Sequence, residues 1–374
     1  MIFLLSESFF DVTDLPGTGF EKDPLKHFHA LCREGVSGDF LSLTYCGGTG
    51  YVEMEVLTGI CSALLRGGDT LTSLPVERYA ALPCITDPLL ARGYAAYFVH
   101  SYNDRLYNRR AIYSALGFGE LRFAEDFPEG AETAGGYLSD MSLTREILSL
   151  LDEGEGPKLI FAVSMENHQP YGEDKFGEPC ASGLRCPGLD REETAVLETF
   201  VRGEEDADAA LGALTEALRQ REEPVLLVFW GDHRPNLGLP DGRNVYASLG
   251  CCSGTDTEAW GPEELRGMLT TNYLIWSNRG LDAASRTESS TLLGLHVLER
   301  LGFPLTDWFR WLSLRTEDRY LLYRPRLFVD GAGSAFARIP PEAAEVMEEY
   351  AAAVGDLVYG GGTLFRRYRG GGSG

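Results

Sequence analysis

The residues best suited to chemistry are Asp232 and His233, which follow an apolar run at 225–230 and the glycine Gly231. A run of that length between Pro224 and a Gly-Asp pair is typical of a buried strand in a parallel sheet. Open α/β sheets place their ligands at the carboxyl ends of such strands. A carboxylate and an imidazole together suit a borderline divalent cation such as zinc or manganese. The pattern therefore predicts a metal site whose other ligands come from elsewhere in the chain.

Three further polar residues lie where a predicted strand ends or a predicted helix begins. Glu7 follows the first strand, Thr49 follows the glycines of the segment 46–50, and His168 follows the third strand. Because the carboxyl ends of parallel strands share one edge of a sheet, these residues are expected to gather beside Asp232.

The expected site suits metal-assisted attack on phosphorus. Glu7, Asp232 and His233 offer two carboxylates and one imidazole to a divalent cation, which leaves coordination positions open. A threonine hydroxyl is a poor nucleophile until a bound metal raises its acidity, as it does for bound water. Glycines before Thr49 permit a sharp turn, and the amides that open the next helix favour a phosphate oxyanion. We therefore predict attack by Thr49 and a covalent phospho-threonine intermediate.

The segment 98–109 supplies candidate substrate-binding residues. His100 ends a predicted strand, and Arg109 is a candidate for a fork-like clamp on phosphate oxygens. Tyr107 offers a flat face and a hydroxyl group to a polyol headgroup. Either His100 or His168 could protonate the leaving oxygen, and the sequence does not distinguish them.

The elements that position these residues follow from apolar periodicity. Short apolar runs between chain-breaking residues predict five strands, at Ile2–Ser6, Ala95–His100, Leu159–Met165, Val225–Trp230 and Tyr273–Ser277. Helical spacing predicts helices at Glu192–Arg221 and at Ser289–Leu301, the second with Ser and Thr as candidate caps. The alternation predicts an α/β fold with a doubly wound, mostly parallel sheet flanked by helices.

A change of pattern after about Gly302 predicts a division of the chain. Residues 1–302 are expected to form the catalytic domain. Residues 303–369 are rich in aromatic side chains, include a predicted helix at Pro340–Val358, and are expected to form a small C-terminal subdomain packed on the core. The glycine-rich residues 370–374 resemble a linker tail.

Composition limits the partners and the location. The net charge of −23 argues against nucleic acid, although a metal can still make one pocket attractive to a small anion. No apolar stretch is long enough to span a bilayer. Met1 directly precedes a predicted core strand, so the sequence is expected to be cut from a longer protein. Cys180 and Cys186 could pair in an exported protein, and the sequence leaves open whether they are unpaired thiols or one disulfide that closes a loop.

Five sequence blocks carry a family resemblance, and they stand in the order SESFFD, GGTGYVEMEVLTG, FVHSYNDRLYNRRAIYSALGF, SMENHQPY and VFWGDHRPNLG. In content and order they resemble the lipoteichoic acid synthase-like phosphoglycerol transferases, which belong to the sulfatase and alkaline phosphatase superfamily. The resemblance covers roughly Ile2 to Asn278, and the helix predicted at 342–358 is similar to the family's C-terminal helix.

The resemblance implies a fold, a cofactor and substrates. The fold would be alkaline phosphatase/sulfatase-like. One divalent ion, Mn²⁺ first and Mg²⁺ or Zn²⁺ as alternatives, would be held by Glu7, Thr49, Asp232 and His233. Thr49 would be the nucleophile, with His168 also catalytic and headgroup contacts from His100, Tyr107, Arg109 and His168. The donor would be an anionic glycerophospholipid such as phosphatidylglycerol, and the acceptor a hydroxyl of a teichoic acid chain or a glycan. Membrane helices at the amino terminus, missing here, would hold the domain at the extracellular face of a bacterial membrane.

Departures from the family pattern leave alternatives open. Tyr107 stands where the lipoteichoic acid enzymes often have tryptophan, so the headgroup, glycerol or ethanolamine, is not fixed. The segment 49–53 lacks the C/S-x-P-x-R setting that sulfatases proper convert to formylglycine, so hydrolysis of sulfate esters is not expected. The alternatives are a phosphodiesterase or phosphatase, a phosphoethanolamine transferase, and an inactive wall-polymer binding module. The intact candidate metal ligands count against the last of these.

Overall fold

The central strands consist almost entirely of apolar residues because helices cover both faces of the sheet that they form. A computed structural model describes residues 1–362 and residue 365, so the predicted tail at 370–374 lies outside the described residues. The strands are β1 (Ile2–Ser6), β2 (Gly19–Phe20), β3 (Val36–Leu41), β4 (Ala95–His100), β5 (Glu120–Arg122), β6 (Thr133–Ala134), β7 (Tyr137–Leu138), β8 (Lys158–Val163), β9 (Leu184–Arg185), β10 (Leu226–Gly231), β11 (Thr270–Ser277), β12 (Ala284–Ser285), β13 (Glu288–Ser289), β14 (Leu322–Arg324), β15 (Leu327–Val329) and β16 (Ala335–Phe336).

The helices connect these strands and cover the sheet. They are α1 (Lys26–Cys32), α2 (Thr49–Thr58), α3 (Val76–Tyr79), α4 (Thr86–Leu90), α5 (Arg109–Ala115), α6 (Asp140–Asp152), α7 (Arg191–Arg219), α8 (Val245–Ser248), α9 (Pro262–Met268), α10 (Leu293–Arg300), α11 (Asp307–Thr316) and α12 (Pro341–Gly355). Short 3₁₀ turns lie at Val12–Asp14, Ser62–Leu64, Leu106–Asn108 and Ala124–Asp126, and α12 continues into a π-helical turn at Asp356–Gly360.

The main sheet has nine strands in the order β12-β3-β11-β10-β1-β8-β4-β5, with β13 also paired to β3. Strands β10, β1, β8, β4 and β5 run parallel to one another. Strand β11 is antiparallel to both of its neighbours. The predicted mostly parallel α/β sheet is thus confirmed. Its parallel strands bring the residues that follow β1, β4, β8 and β10 to one edge.

Alternating side chains divide the core into two clusters, one on each face of the sheet. Phe3 of β1 belongs to the cluster that contains Val56 of α2. Leu4, the next residue, belongs to the cluster that contains Leu211 of α7. Helix α2 therefore packs on one face of the sheet and α7 on the other, as a doubly wound fold requires.

Four strands of the main sheet and one helix start differ from the prediction. Strands β3, β5, β12 and β13 were not predicted; β3 contains Gly38 and Asp39, which local propensity disfavours in strands. The predicted helix start at Ser289 is wrong, because residues 288–289 pair with β3 and the helix begins at Leu293. No side chain caps its amino end, and the hydroxyl of Ser290 donates instead to Glu55.

The aromatic C-terminal part of the chain contacts the far end of α2. The indole Nε1 of Trp308 donates to the carbonyl oxygen of Thr58 at 2.7 Å, and the hydroxyl of Tyr350 donates to that of Gly59 at 2.6 Å. These bonds satisfy carbonyl groups that a helix end leaves without partners. Strands β14–β16 form a separate three-stranded sheet in the same part. The boundary at residue 302 stays a prediction.

Two further observations concern export and the membrane. Cys180 and Cys186, whose pairing the sequence left open, are buried free thiols. Across residues 1–362 and 365, no helix combines the length and the apolar character needed to cross a bilayer.

Candidate metal and nucleophile site

Glu7 and Asp232 lie side by side because the strands that precede them are neighbours. Strands β1 and β10 pair in parallel with Ser6 opposite Gly231, so both chains leave the sheet at the same point. The backbone N–H of Ser8 donates to Asp232 Oδ1 at 2.8 Å. Only glycine fits at position 231, since a Cβ atom there would lie 1.7 Å from a backbone carbonyl oxygen.

His233 completes a cluster of three buried donors. One donor atom each from Glu7, Asp232 and His233 lie within 4.8 Å of one another. His233 Nε2 is 3.1 Å from Asp232 Oδ2 and 3.8 Å from Glu7 Oε1. His233 Nδ1 lies 3.2 Å from the carbonyl oxygen of Arg234, which can only accept. We therefore assign a hydrogen to Nδ1, and Nε2 is the ring nitrogen that faces the two carboxylates.

The two carboxylates of this cluster require a positive charge between them. Burial and the neighbouring charge of Asp232 raise the pKa of Glu7 well above its usual value. Asp232 Oδ2 is buried and accepts no hydrogen bond from the residues that the structure describes. Buried carboxylates in this state are stabilised by a cation or by protonation. The donor set of two carboxylates and one imidazole nitrogen thus fits a divalent metal ion.

Thr49 is the first residue of α2, and its hydroxyl faces the same cluster. Gly48 is the N-cap. Its φ of 93° lies in the left-handed region, which is unfavourable for residues with a Cβ atom. The hydroxyl of Thr49 donates to Glu7 Oε2 at 3.4 Å. The side chain therefore points toward the candidate ligands and does not cap the helix.

Backbone and amide hydrogen bonds hold three loops together around Thr49. The N–H of Cys46 donates to the carbonyl oxygen of Arg234 at 2.9 Å. Gln169, in the loop after β8, binds both of these loops. Its Nε2 donates to the Cys46 carbonyl oxygen at 3.2 Å, and its Oε1 accepts from the N–H of Asn236 at 2.7 Å. The loops after β8 and β10 are thus tied to the glycine loop before α2.

Arg109 lies between His100 and Glu53, and all three side chains are buried. Its Nε donates to Glu53 Oε2 at 3.1 Å, and its Nη2 donates to Glu53 Oε1. His100 Nδ1 donates to the carbonyl oxygen of Val163 at 3.2 Å, so its Nε2 accepts from Arg109 Nη1 at 3.1 Å. Burial and the charge of Arg109 hold the pKa of His100 well below its usual value. The guanidinium fork binds Glu53 here, and its clamp on a phosphate stays a prediction.

Tyr107 covers the first turn of α2. The guanidinium carbon of Arg109 lies 5.1 Å from the centroid of the Tyr107 ring, and the ring of Tyr51 lies 5.8 Å away in an edge contact. A Cβ atom at Gly50 would lie 2.8 Å from the Tyr107 ring, so glycine permits this close packing. The ring therefore lies between the nucleophile helix and the buried arginine, while its contact with a headgroup stays a prediction.

His168 keeps one ring nitrogen available for chemistry. Its Nδ1 lies 2.7 Å from the carbonyl oxygen of Gln169, to which it must donate, and 3.4 Å from the hydroxyl of Tyr137. Burial lowers the pKa of His168, which favours a neutral ring with an unprotonated Nε2. The ammonium group of Lys175 donates to the backbone carbonyl of His168, and burial lowers the pKa of Lys175 to about 8.

Two residues before His168, the carboxyl of Glu166 is buried beside Asp140. The N–H of Asp140 donates to Glu166 Oε2 at 2.6 Å. Glu166 Oε1 and Asp140 Oδ1 are buried and have no hydrogen-bond partner within the described part of the chain. Burial raises the pKa of Glu166 to about 9 and that of Asp140 to about 7, and the charge of Asp140 adds to the shift of the Glu166 pKa.

Because the pKa of Glu166 is raised by burial, we expect its contribution to the free energy of unfolding to depend on pH. A carboxyl whose folded-state pKa is raised contributes fully below its unfolded value of about 4.3 and loses that contribution as pH rises toward about 9. Glu166→Gln keeps an acceptor for the Asp140 N–H and removes the charge. We expect urea unfolding to show a variant that is more stable than the wild type at pH 8 by roughly 1–3 kcal/mol, with a smaller difference at pH 5. Equal differences at the two pH values would contradict this assignment.

Several residues near the site were not predicted to take part. Glu53 lies four residues after Thr49, and that spacing places both on one face of α2, which is a signal that could have been used. Lys175 and Tyr137 lie in segments without a distinguishing pattern, so only the tertiary structure shows them beside His168.

Comparison with known proteins identifies the family to which the chain belongs. The family model described as Sulfatase matches residues 1–296. A putative cyclic beta-1,2-glucan modification protein of Rhizobium meliloti (strain 1021) is 31% identical over 334 residues, which are 87% of this chain and 50% of that protein. The chain thus spans half the length of this relative.

Two solved structures share the fold. The Streptococcus pyogenes phosphoglycerol transferase GacH, solved in complex with sn-glycerol-1-phosphate, superposes with a TM-score of 0.70 at 21% identity, covering 96% of this chain and 86% of that one. The lipoteichoic acid synthase LtaP from Listeria monocytogenes also gives a TM-score of 0.70, at 14% identity, covering 98% of this chain and 93% of that one. The chain belongs to the Sulfatase family, with the fold of the alkaline phosphatase and sulfatase superfamily.

Proposed function

We propose that the chain is a metal-dependent transferase that moves glycerophosphate from a phosphatidylglycerol-type lipid to a hydroxyl of a glycan. The observation that carries the proposal is the convergence of the Thr49 hydroxyl with the buried donors of Glu7, Asp232 and His233. The structural similarity to GacH, which is named a phosphoglycerol transferase, and to LtaP, which is named a lipoteichoic acid synthase, supports the choice of donor.

Glu7, Asp232 and His233 would hold the metal, with Thr49 as the predicted fourth ligand and Mn²⁺ as the preferred ion. A divalent ion bound there would lower the pKa of a coordinated hydroxyl and offset the charge of phosphate oxygens. The fit rests on Asp232 Oδ2, which has no hydrogen-bond donor among the described residues, and on His233 Nε2, which faces it at 3.1 Å.

Thr49 performs two displacements at one phosphorus atom. In the first, its Oγ1 forms a bond to phosphorus, and the bond from phosphorus to the diacylglycerol oxygen breaks. The proton lost by Thr49 and the proton gained by the diacylglycerol oxygen balance. In the second, a glycan hydroxyl forms the new bond to phosphorus, and the Thr49 oxygen leaves and regains a proton.

His168 is the better of the two histidines for moving these protons. Its Nε2 is unprotonated and has no hydrogen bond from a described residue, so it can accept the proton of the incoming glycan hydroxyl. His100 Nε2 already accepts from Arg109 Nη1. We therefore assign proton transfer to His168 and assign to His100 the positioning of Arg109.

The acceptor is proposed to be a glycan, in preference to a teichoic acid chain. The support is the name of the R. meliloti relative, a putative cyclic beta-1,2-glucan modification protein. The donor is a membrane lipid, so we propose that the domain works at the extracellular face of a bacterial membrane as part of a longer, anchored protein.

The test compares lipid headgroups with the same acyl chains. With Mn²⁺, vesicles of fluorescent phosphatidylglycerol should release diacylglycerol at least about tenfold faster than vesicles of fluorescent phosphatidylethanolamine. Labelled glycerophosphate should appear on cyclic β-1,2-glucan when that glucan is added. Preference for the ethanolamine lipid would favour a phosphoethanolamine transferase, and free glycerophosphate with no labelled glucan would favour a phosphodiesterase.

A further inference from the structure

A concave surface lies beside the nucleophile loop at residues 46–50. This cleft has a volume of about 460 Å³, and its lining includes Thr44, Tyr45, Gly48, Tyr51, Trp260 and Arg324. We call it the aromatic cleft. Its volume is in the range of small-ligand sites, which are mostly apolar with a few placed polar groups. Because Gly48 directly precedes Thr49, the cleft adjoins the loop that carries the nucleophile.

Arg324 gives the aromatic cleft an available group of hydrogen-bond donors. Its Nη1 donates to the carbonyl oxygen of Leu43 at 3.2 Å, which fixes the side chain at the cleft. Among the described residues it has no ion pair, in contrast to Arg326 two positions later, which pairs with Glu258. Burial lowers the pKa of Arg324, but the guanidinium stays charged. Its remaining N–H groups can donate to a ligand.

Aromatic rings form the other walls. The rings of Tyr45 and Trp260 lie 5.3 Å apart in an edge contact. Tyr51 lies between the cleft and the predicted headgroup-binding residues, because its ring also contacts Tyr107. The hydroxyl of Thr44 is buried and has no hydrogen-bond partner within residues 1–362 and 365. Flat apolar rings beside a few donors suit a ligand with an apolar face and a hydroxyl-bearing edge.

We propose that the aromatic cleft binds one neutral sugar ring of the glycan acceptor, with its apolar face on the ring of Tyr51 and its hydroxyls accepting hydrogen bonds from Arg324. This inference rests on the proposed function, because it names where the acceptor glycan is held. The location suits an acceptor because Gly48 and Tyr51, which flank Thr49 in the chain, both line the cleft.

A larger cleft of about 860 Å³ lies on the His168 side, between the loops after β8 and β10 and the start of α7. Its lining includes the carboxylates of Glu173, Glu192 and Asp241, and it contains neither a tryptophan nor an arginine. Tyr171 and His168 contribute rings to its lining, but it has no guanidinium group like that of Arg324. A substitution in this larger cleft is therefore the control for substitutions in the aromatic cleft.

The test is a calorimetric titration of the chain with a neutral linear β-1,2-gluco-oligosaccharide. No lipid donor is present, so the result does not depend on whether the chain transfers glycerophosphate, which diacylglycerol release measures separately. We expect Arg324→Gln and Tyr51→Leu each to weaken binding at least about fivefold. Glu173→Gln, in the larger cleft, should bind within twofold of the wild type. Unfolding midpoints of all variants establish that each is folded, and the two cleft variants serve as independent tests.

Three results would overturn the proposal. They are the absence of binding by the wild type, equal binding by the wild type and both cleft variants, and loss of binding in Glu173→Gln alone. Adding sn-glycerol-phosphate gives a fourth criterion. If that anion displaces the oligosaccharide from the wild type but not from Arg324→Gln, the cleft is a phosphate site and the neutral-sugar assignment is wrong.

Discussion

Thr49→Ala is expected to lower the release of diacylglycerol from phosphatidylglycerol by roughly 10³-fold or more, because no other side chain replaces the nucleophilic oxygen. The fold should be retained. The hydroxyl makes one described hydrogen bond, to Glu7 at 3.4 Å, and does not cap α2. Its loss should cost no more than about 0.5–1.5 kcal/mol of the free energy of unfolding. Steady-state release and a urea titration measure the two effects.

Thr58→Val is the matched control for this variant. Thr58 lies at the other end of α2, and its hydroxyl donates to the carbonyl oxygen of Met54 at 2.6 Å. This variant also removes a buried hydroxyl from the same helix, but one far from the donor cluster, so it should keep at least about half of the wild-type rate. If Thr49→Ala and Thr58→Val reduce turnover equally, Thr49 acts only through the structure of the helix.

Arg109→Met is expected to cause the largest loss of stability, about 3–5 kcal/mol in the free energy of unfolding. The reason is that Glu53 would lose its ion pair and stay buried. Among the described residues it would then accept a side-chain hydrogen bond from the Tyr113 hydroxyl alone. Glu53→Leu in the same chain should recover most of the loss, because the double variant leaves no buried charge unpaired. Urea unfolding of the two single variants and the double variant gives the coupling free energy.

Arg110→Met is the matched control for the buried ion pair. Arg110 is the next residue in the chain, but it is exposed and pairs with Asp104 and Glu125 at the surface. Exposed pairs contribute about 0–1 kcal/mol, so this variant should unfold near the wild-type midpoint. The account of the Arg109–Glu53 pair fails if both variants have the same cost.

Most of the sheet could be predicted from the sequence because its parallel strands are apolar on both faces. The apolar runs that form β1, β4, β8, β10 and β11 are distinct from the polar segments around them, and all five are present. Strand β3 was missed because Gly38 and Asp39 interrupt its apolar pattern. Its place in the sheet is fixed by pairing with β11 on one side and with β12 and β13 on the other, which local sequence does not specify.

The sequence also predicts at which edge of the sheet the site lies, but it does not predict the contacts between the residues of the site. Residues that end parallel strands must meet at one edge, and the structure brings Glu7 and Asp232 together there. The pairing of Arg109 with Glu53 joins segments 56 residues apart, so neither residue alone predicts the other. The same holds for Asp140 and Glu166, which approach only because α6 begins beside the end of β8.

The most direct test of the central claim is peptide mass spectrometry of the chain quenched during turnover of phosphatidylglycerol with Mn²⁺ and without a glycan acceptor. The account predicts a glycerophosphate group attached to Thr49, absent from the Asp232→Asn variant and removed when cyclic β-1,2-glucan is added. A glycerophosphate group on a different residue, or rapid turnover in which quenching at every time point traps no adduct on Thr49, would contradict it.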